Sequence, residues 1–473
     1  METQNKIANQ KYVPMKEMIL FFVGTFLLTN LQGVVNTYRQ AYLLDVLVLD
    51  PELVAKINGF CTIAAHVLSL FITMYIDRTP KPGKPKFINH VKWWTIPTAI
   101  FAILHFYTPD FVLSNDVLIF IYMSGVALVY GVANQLSSQI NSIAVVISPN
   151  NEERDTALTF RGIVNAIGNS APLVVIMVVG IFTKDEGLKY IILSIVCSFV
   201  AVIFMLLAAN VVKERVAYSQ EKQNPIIGFV DVIKNKYARI VLVSEFLKNF
   251  RKIASYMGIF LAAALLGSKD KYLLFGLPTG IGTFVGMLIV KAFLKKFNSK
   301  QIYIASGVYS IIANAAAFAV GAIYFKTGTS ALQIVFIVCL FLVGLQFGAS
   351  NLLPSMFQAD ILEDIEVKTH KRLDASLGFV IGIGATISGA IANYLSPIVL
   401  AGEGSIIGYL QPVEGEYPEQ SMDTKIRLLF FYTVVHGIMM FLAGVPFFFY
   451  KLTGKKREEV HAAAIAYRES LEK

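Results

Sequence analysis

Twelve stretches of about 20 predominantly apolar residues recur along the chain, and no other feature constrains the fold as strongly. A stretch of that length crosses the hydrocarbon core of a bilayer as an α-helix, which satisfies its own backbone hydrogen bonds in lipid. The stretches lie near 17–45, 53–76, 91–108, 117–147, 157–182, 188–211, 240–266, 272–294, 302–325, 331–358, 375–401 and 428–450. Only 15% of the 473 residues are charged, against about 25% in soluble domains, so lipid is the expected solvent. That excludes a soluble enzyme, a disordered chain and a disulfide scaffold. Twelve spans and their loops use the whole sequence and leave no soluble domain. The first stretch is too long and too polar for a signal peptide and reads as a retained helix. Cys61, Cys197 and Cys339 fall inside apolar runs and read as packing residues.

Orientation follows from the basic residues, because translocating short basic loops is disfavoured. With both termini cytoplasmic, 28 of the 41 Lys and Arg residues lie in inner segments and 8 in outer loops. The net charge of +9 therefore sets topology and is not a nucleic-acid footprint. The expected protein is an all-α, multi-pass resident of the cytoplasmic (inner) membrane, working as a monomer. It divides into a six-helix bundle over 1–211, a linker over 212–239, a second six-helix bundle over 240–450 and a cytoplasmic tail over 451–473. Basic loops after the second and eighth spans fit two parallel halves. In the linker, Ile226, Phe229, Val230 and Ile233 form an i, i+3, i+4, i+7 stripe after Pro225, which predicts a short amphipathic helix on the membrane surface. The tail from Lys455, charged and rich in Ala, reads as a solvated or surface helix.

Five cations fall inside spans: Arg39, Arg161, Lys248, Arg251 and Lys252. At roughly 2.5 to 3.5 kcal/mol each, they cannot face lipid. Polar residues share their helical faces. Thr25, Thr29, Gln32, Asn36 and Arg39 draw one stripe down the first span. Gln135, Gln139 and Ser142 form one line on the fourth, with Asn134, Ser138 and Asn141 beside it. Arg161, Asn165 and Asn169 follow on the fifth. On the seventh, Glu245, Lys248, Asn249, Arg251 and Lys252 occupy one arc of a continuous helix. Interhelical hydrogen bonding explains any single amide or hydroxyl equally well. It does not explain the cations, for which Glu245 and the more peripheral Asp45 are the available acids. The imbalance points to a water-filled, anion-attracting central cavity. His66 and Glu245 are the titratable candidates for proton coupling. No phosphate loop, metal-ligand cluster or nucleophile elbow occurs, so neither an enzyme, a metal site nor a cofactor is expected.

The segment Ala359-Asp360-Ile361-Leu362-Glu363-Asp364-Ile365-Glu366-Val367-Lys368-Thr369-His370-Lys371-Arg372 resembles the signature loop of the glycoside-pentoside-hexuronide:cation symporters, the melibiose-carrier branch of the major facilitator superfamily. Tyr38 to Asp45, the Asp77-Arg78-Thr79 turn, Arg154 and Arg161 extend the resemblance over most of the chain. It implies a midplane substrate site between two six-helix bundles, alternating access, and a cytoplasmic gate of charges here represented by Asp77, Arg78, Asp360, Glu366, Lys368 and Arg372. The sequence departs from the family where function is concerned. The two cation-binding carboxylates of the second helix fall on Ala65 and Ser69. The sugar-contacting acid of the first helix falls on Thr25, the acid or amide of the fourth on Gln139, and the lysine of the eleventh on Thr386. Neutral amides of the seventh helix become Lys248 and Lys252.

The expected function is thus transport of a sugar, glycoside or sugar acid by alternating access without Na⁺ coupling. Arg39, Arg161, Lys248, Arg251 and Lys252 would supply charge, and Gln32, Asn36, Gln139, Asn165 and Asn249 hydrogen bonds. A proton is the candidate coupling ion, and the bilayer and the solute are the expected partners. Two alternatives stand beside it: export of amphipathic or lipidic anions, and a transporter-like membrane sensor or scaffold.

Overall fold

The computed structural model describes residues 11–78, 85, 87–215, 225–370, 373–413 and 417–471. Helices α1 (Met15–Ala41), α2 (Pro51–Arg78), α3 (Ile88–Leu104), α4 (Asp116–Ser137), the short α5 (Ile140–Ile143), α6 (Asn151–Phe182) and α7 (Glu186–Val211) come first. They are followed by α8 (Pro225–Lys234), α9 (Lys236–Asn249), α10 (Lys252–Leu266), α11 (Leu273–Phe293), α12 (Ser299–Thr327), α13 (Ser330–Thr369), α14 (Asp374–Leu400), α15 (Met422–Phe430), α16 (His436–Gly444) and α17 (Lys455–Leu471). Among the described residues no sheet forms, and an isolated bridge joins Ala401 to Tyr409. The chain divides into two compact units, Met1–Glu221 with Gln411–Glu416, and Lys222–Leu410 with Tyr417–Lys473.

Among the described residues, nine helical segments are long and apolar enough to cross a membrane. The expected seventh span is not one helix: α9 and α10 are separate pieces of 14 and 15 residues. Side chains such as Phe182, 82% exposed, and Phe199, 67% exposed, fit an outer surface in contact with lipid. Local chemistry sets the ends. Asn115 caps α4 by accepting from Val117 N, Asp185 caps α7 through Leu188 N, and Asn298 forms a capping box with Gln301. Gly267 and Gly328 end α10 and α12 with positive φ. The three cysteines are buried and free.

In the first unit, Phe21 and Leu28 of α1 share a core with Ile140, Met205 and Ala208. In the second, Val241, Tyr303, Leu353, Phe357, Phe447 and Tyr450 form the centre. There α11 and α13 pack backbone to backbone. A Cβ on Gly282, Gly286, Gly344 or Gly348 would collide with main-chain atoms of the facing helix. Two small-xxx-small pairs four residues apart thus allow a contact that no larger side chain permits.

The linker stripe forms α8, whose Phe229 packs against the second unit's core and meets the Phe379 ring of α14 at a tilt, with centroids 5.9 Å apart. The tail departs from the solvated helix expected. Helix α17 docks on α13: Arg457 Nε donates to Asp360 Oδ1 (2.7 Å), His461 pairs with Glu363 (2.9 Å) and Tyr467 Oη donates to the His370 carbonyl (3.0 Å). Val460 joins the core and Ala464 is fully buried, so the alanine face is the docking face.

Candidate functional site

In the first unit the polar stripes of α1, α4 and α6 meet as a network. Gln32 Nε2 donates to Asn134 Oδ1 (2.8 Å) and Ser138 Oγ (2.9 Å). Thr29 Oγ1 donates to Asn165 Oδ1 (2.7 Å), and Asn165 Nδ2 donates to Asn141 Oδ1 (3.1 Å). Arg39 Nη1 donates to Asn58 Oδ1 of α2 (3.1 Å). Asn36, on the same stripe, is exposed.

From the end of α4 through the short α5 and just beyond it, the chain carries bonds tighter than those of an α-helix. Gln139, Asn141, Ser142, Val145 and Val146 each donate to the residue three back. Val145 N therefore bonds Ser142 O, which releases the Asn141 carbonyl from the helical ladder. Arg161 Nη1 takes that carbonyl at 2.8 Å. Gln139 stays local, donating to the Gln135 carbonyl (3.1 Å) and accepting from Ser142 Oγ (3.3 Å).

The second unit repeats the device. At the break between α9 and α10, Arg251 N donates to Lys248 O (3.3 Å) and Ile253 N to Phe250 O (3.2 Å). The arc expected from a continuous helix is accordingly split. Lys248 Nζ pairs with Glu245 Oε1 one turn back, and Asn249 Nδ2 donates to the Glu245 carbonyl (2.7 Å). Arg251 turns onto the Phe347 ring of α13 at 4.8 Å. Lys252 is exposed, its ammonium beside Gly389 of α14. Below it, Tyr256 Oη donates to Asn393 Oδ1 (3.0 Å).

Among the described residues, Lys248 is paired with a carboxylate, Arg251 lies within electrostatic reach of the same Glu245, and Arg39, Arg161 and Lys252 have no carboxylate partner. Glu245 is committed to Lys248, and His66 is half-buried on α2. Of the expected gate, Asp360 is held by Arg457, and Lys368 Nζ donates to Asp364 Oδ2 (2.6 Å), which also accepts from Asn235 Nδ2 (2.7 Å). Glu366 is buried. Asp77 and Arg78 end α2, and Arg372 lies outside the described residues.

Sequence reasoning missed several partners. Asn58 and Phe347 carry no signal that ties them to a distant arginine. Glu17 was passed over as well: buried near the start of α1, it accepts from Arg215 Nη1 (2.6 Å) and Nη2 (2.7 Å) and from Lys213 N (2.9 Å). Nearby, Glu153 accepts from Ser148 Oγ (2.6 Å), Tyr12 N and Val13 N. Burial works against its charged form, but these donors and the charge of Arg215 hold the carboxyl below its ordinary range.

The family model described as MFS/sugar transport protein matches residues 20–454. A protein assigned as a sulfoquinovose importer in Salmonella typhimurium is 23% identical over 93% of this chain and 91% of its own length. The isoprimeverose transporter of Lactiplantibacillus pentosus is 24% identical over half of each chain. Two solved structures share the fold: the xylose transporter XylE from E. coli in an inward open conformation (TM-score 0.61, 13% identity, 94% of this chain and 98% of that one) and the nucleoside transporter NupG (0.60, 17%, 92% and 100%). The chain belongs to the MFS/sugar transport family, in keeping with its resemblance to the glycoside-pentoside-hexuronide carriers, and is a multi-pass membrane transporter rather than an enzyme.

Proposed function

We propose that the protein is a twelve-span carrier for a sugar bearing a fixed negative charge, a sulfonated or carboxylated hexose or glycoside, moved by alternating access in the cytoplasmic membrane. One observation carries this reading: three in-span cations, Arg39, Arg161 and Lys252, have no carboxylate partner among the described residues, and Asn36, on the same stripe as Arg39, is exposed and can meet hydroxyls. Each unpaired cation at bilayer depth costs several kcal/mol, a cost that an anionic solute offsets. The relative matched over nearly the whole chain is assigned to sulfoquinovose, a sugar sulfonate, which supports the same class. Arg161 is the residue on which the proposal rests most directly. It is fixed by a neutral carbonyl and keeps its full charge, so its guanidinium can bind an oxyanion in fork geometry.

The test is uptake by proteoliposomes of radiolabelled sugar sulfonates and uronates against the matching neutral hexoses. The expected result is saturable uptake of an acidic sugar, abolished by Arg161→Ala and partly retained by Arg161→Lys. Preference for the neutral hexose, or full activity of Arg161→Ala, would refute the assignment.

A further inference from the structure

We infer that the second unit holds an anionic phospholipid, with one acyl chain in the groove between α11, α12 and α13 and the phosphate on Lys295 and Lys296. The groove has a volume of about 650 Å³, with Ile289, Phe293 and Phe297 on one wall and Ile302, Ala305 and Tyr309 on the other. Of its few polar groups, Tyr309 Oη donates to the Leu342 carbonyl at 2.8 Å and Ser306 Oγ to the Tyr303 carbonyl at 2.7 Å, whereas the buried Gln346 amide at the inner end makes no hydrogen bond among the described residues. Phe293 and Phe297 are each about half exposed, 51% and 50%, so the groove presents rings rather than a sealed interior.

Its length fits one leaflet. From Phe297 the groove runs to Gly286, where α11 and α13 touch and close it. That stretch of chain measures about 16 Å at 1.5 Å per residue, half of a hydrocarbon core roughly 30 Å thick. A soluble ligand has no reason to occupy an apolar slot at that depth, and an acyl chain does.

Its open end is basic. A second cavity of about 330 Å³ shares Phe297 with the groove and is lined by Lys295, Lys296, Ser299, Arg457 and Glu458. Arg457 is committed to Asp360, and Glu458 offsets one charge. Lys295 and Lys296 are exposed and in no ion pair among the described residues. An apolar slot one leaflet long that ends in two available ammonium groups is complementary to a lipid with an anionic headgroup. In the orientation expected from the distribution of Lys and Arg this end is cytoplasmic, where such lipids concentrate. Lipid binding is measured without transport, so its failure and failure of the transport reading are separable.

Native mass spectrometry of the purified protein titrated with phosphatidylglycerol or phosphatidylcholine tests the proposal. The wild type is expected to retain a phosphatidylglycerol adduct, weakened on the order of tenfold by Lys295→Gln/Lys296→Gln. Ala305→Trp, which fills the slot, is expected to weaken it comparably, with Ile289→Trp as the second slot variant if the first fails to fold. Equal retention of the two lipids would overturn the site. So would phosphatidylglycerol retention that depends on the lysines and ignores both slot variants, because surface attraction alone would then explain it.

Discussion

Replacing Arg215 with alanine removes both guanidinium contacts to Glu17 and a third to the Ile147 carbonyl at 3.1 Å. Glu17 keeps the backbone donor of Lys213, yet its side chain is 4% exposed, so water cannot restore what is lost. Breaking a buried pair in this way costs about 3 to 5 kcal/mol. The Arg215 side chain is 19% exposed, which places the cost near the lower end, about 3 kcal/mol. For a unit of roughly 200 residues that corresponds to a fall in apparent Tm of about 6 to 12 °C. A thiol-reactive dye reads it out, because Cys61 and Cys197 are buried and react only as the first unit opens. Glu17→Gln/Arg215→Gln leaves no stranded charge and should lose less than the two single variants together, with a coupling of about 1 to 3 kcal/mol. An Arg215→Ala protein that melts with the wild type, or single losses that simply add, would show that the pair does not hold this end of the unit.

Three further outcomes are expected. Glu153 has a depressed folded-state pKa, so its contribution is present above the ordinary carboxylate pKa and disappears as the pH falls through the lower folded value; Glu153→Gln should flatten the acid limb of a Tm-against-pH curve below about pH 4.5. Gly348→Val should abolish folding of the second unit, seen as loss of a monodisperse peak in detergent, because its side chain would enter the α11 backbone, whereas Gly378→Val, in open space, should not. Uptake of the solute should be the same in Na⁺ and K⁺ buffers at fixed pH. Strong stimulation by Na⁺ would contradict a coupling site without the two family carboxylates, whose positions are Ala65 and Ser69.

What the sequence disclosed follows from what periodicity can carry. Apolar length marked the nine membrane-length segments among the described residues, and the stripe after Pro225 marked α8, because both are properties of one segment read alone. The facing amide rows were legible for the same reason, and the bond from Gln32 to Asn134 and Ser138 joins two of them. Contacts that need a partner were not legible. Helix α17 is hydrophilic in isolation, and its docked face is defined by Asp360 and Glu363, about a hundred residues away. Gly286 and Gly348 are two among 33 glycines, and a spacing of four stands out only once α11 is seen against α13. Glu17 and Arg215 look like ordinary charges at span ends. The arc of five polar residues on the seventh span failed differently, because it assumed 100 degrees per residue through Phe250, where the helix breaks.

Tight winding of this kind also sets backbone carbonyls against in-span cations. Where i to i+3 bonds replace i to i+4 bonds, carbonyls leave the ladder and acquire room for another donor. In the first unit the released carbonyl is that of Asn141, and Arg161 occupies it. In the second, α9 ends at Asn249, with Lys248 in its last turn at the negative end of the helix dipole, worth about 0.3 to 1 kcal/mol to a cation. Both places offer partial negative charge from the backbone. For the function proposed above the difference from a carboxylate matters. A carboxylate would hold the cation and cancel its charge. A carbonyl holds Arg161 in place and leaves the whole positive charge for the anionic solute proposed above.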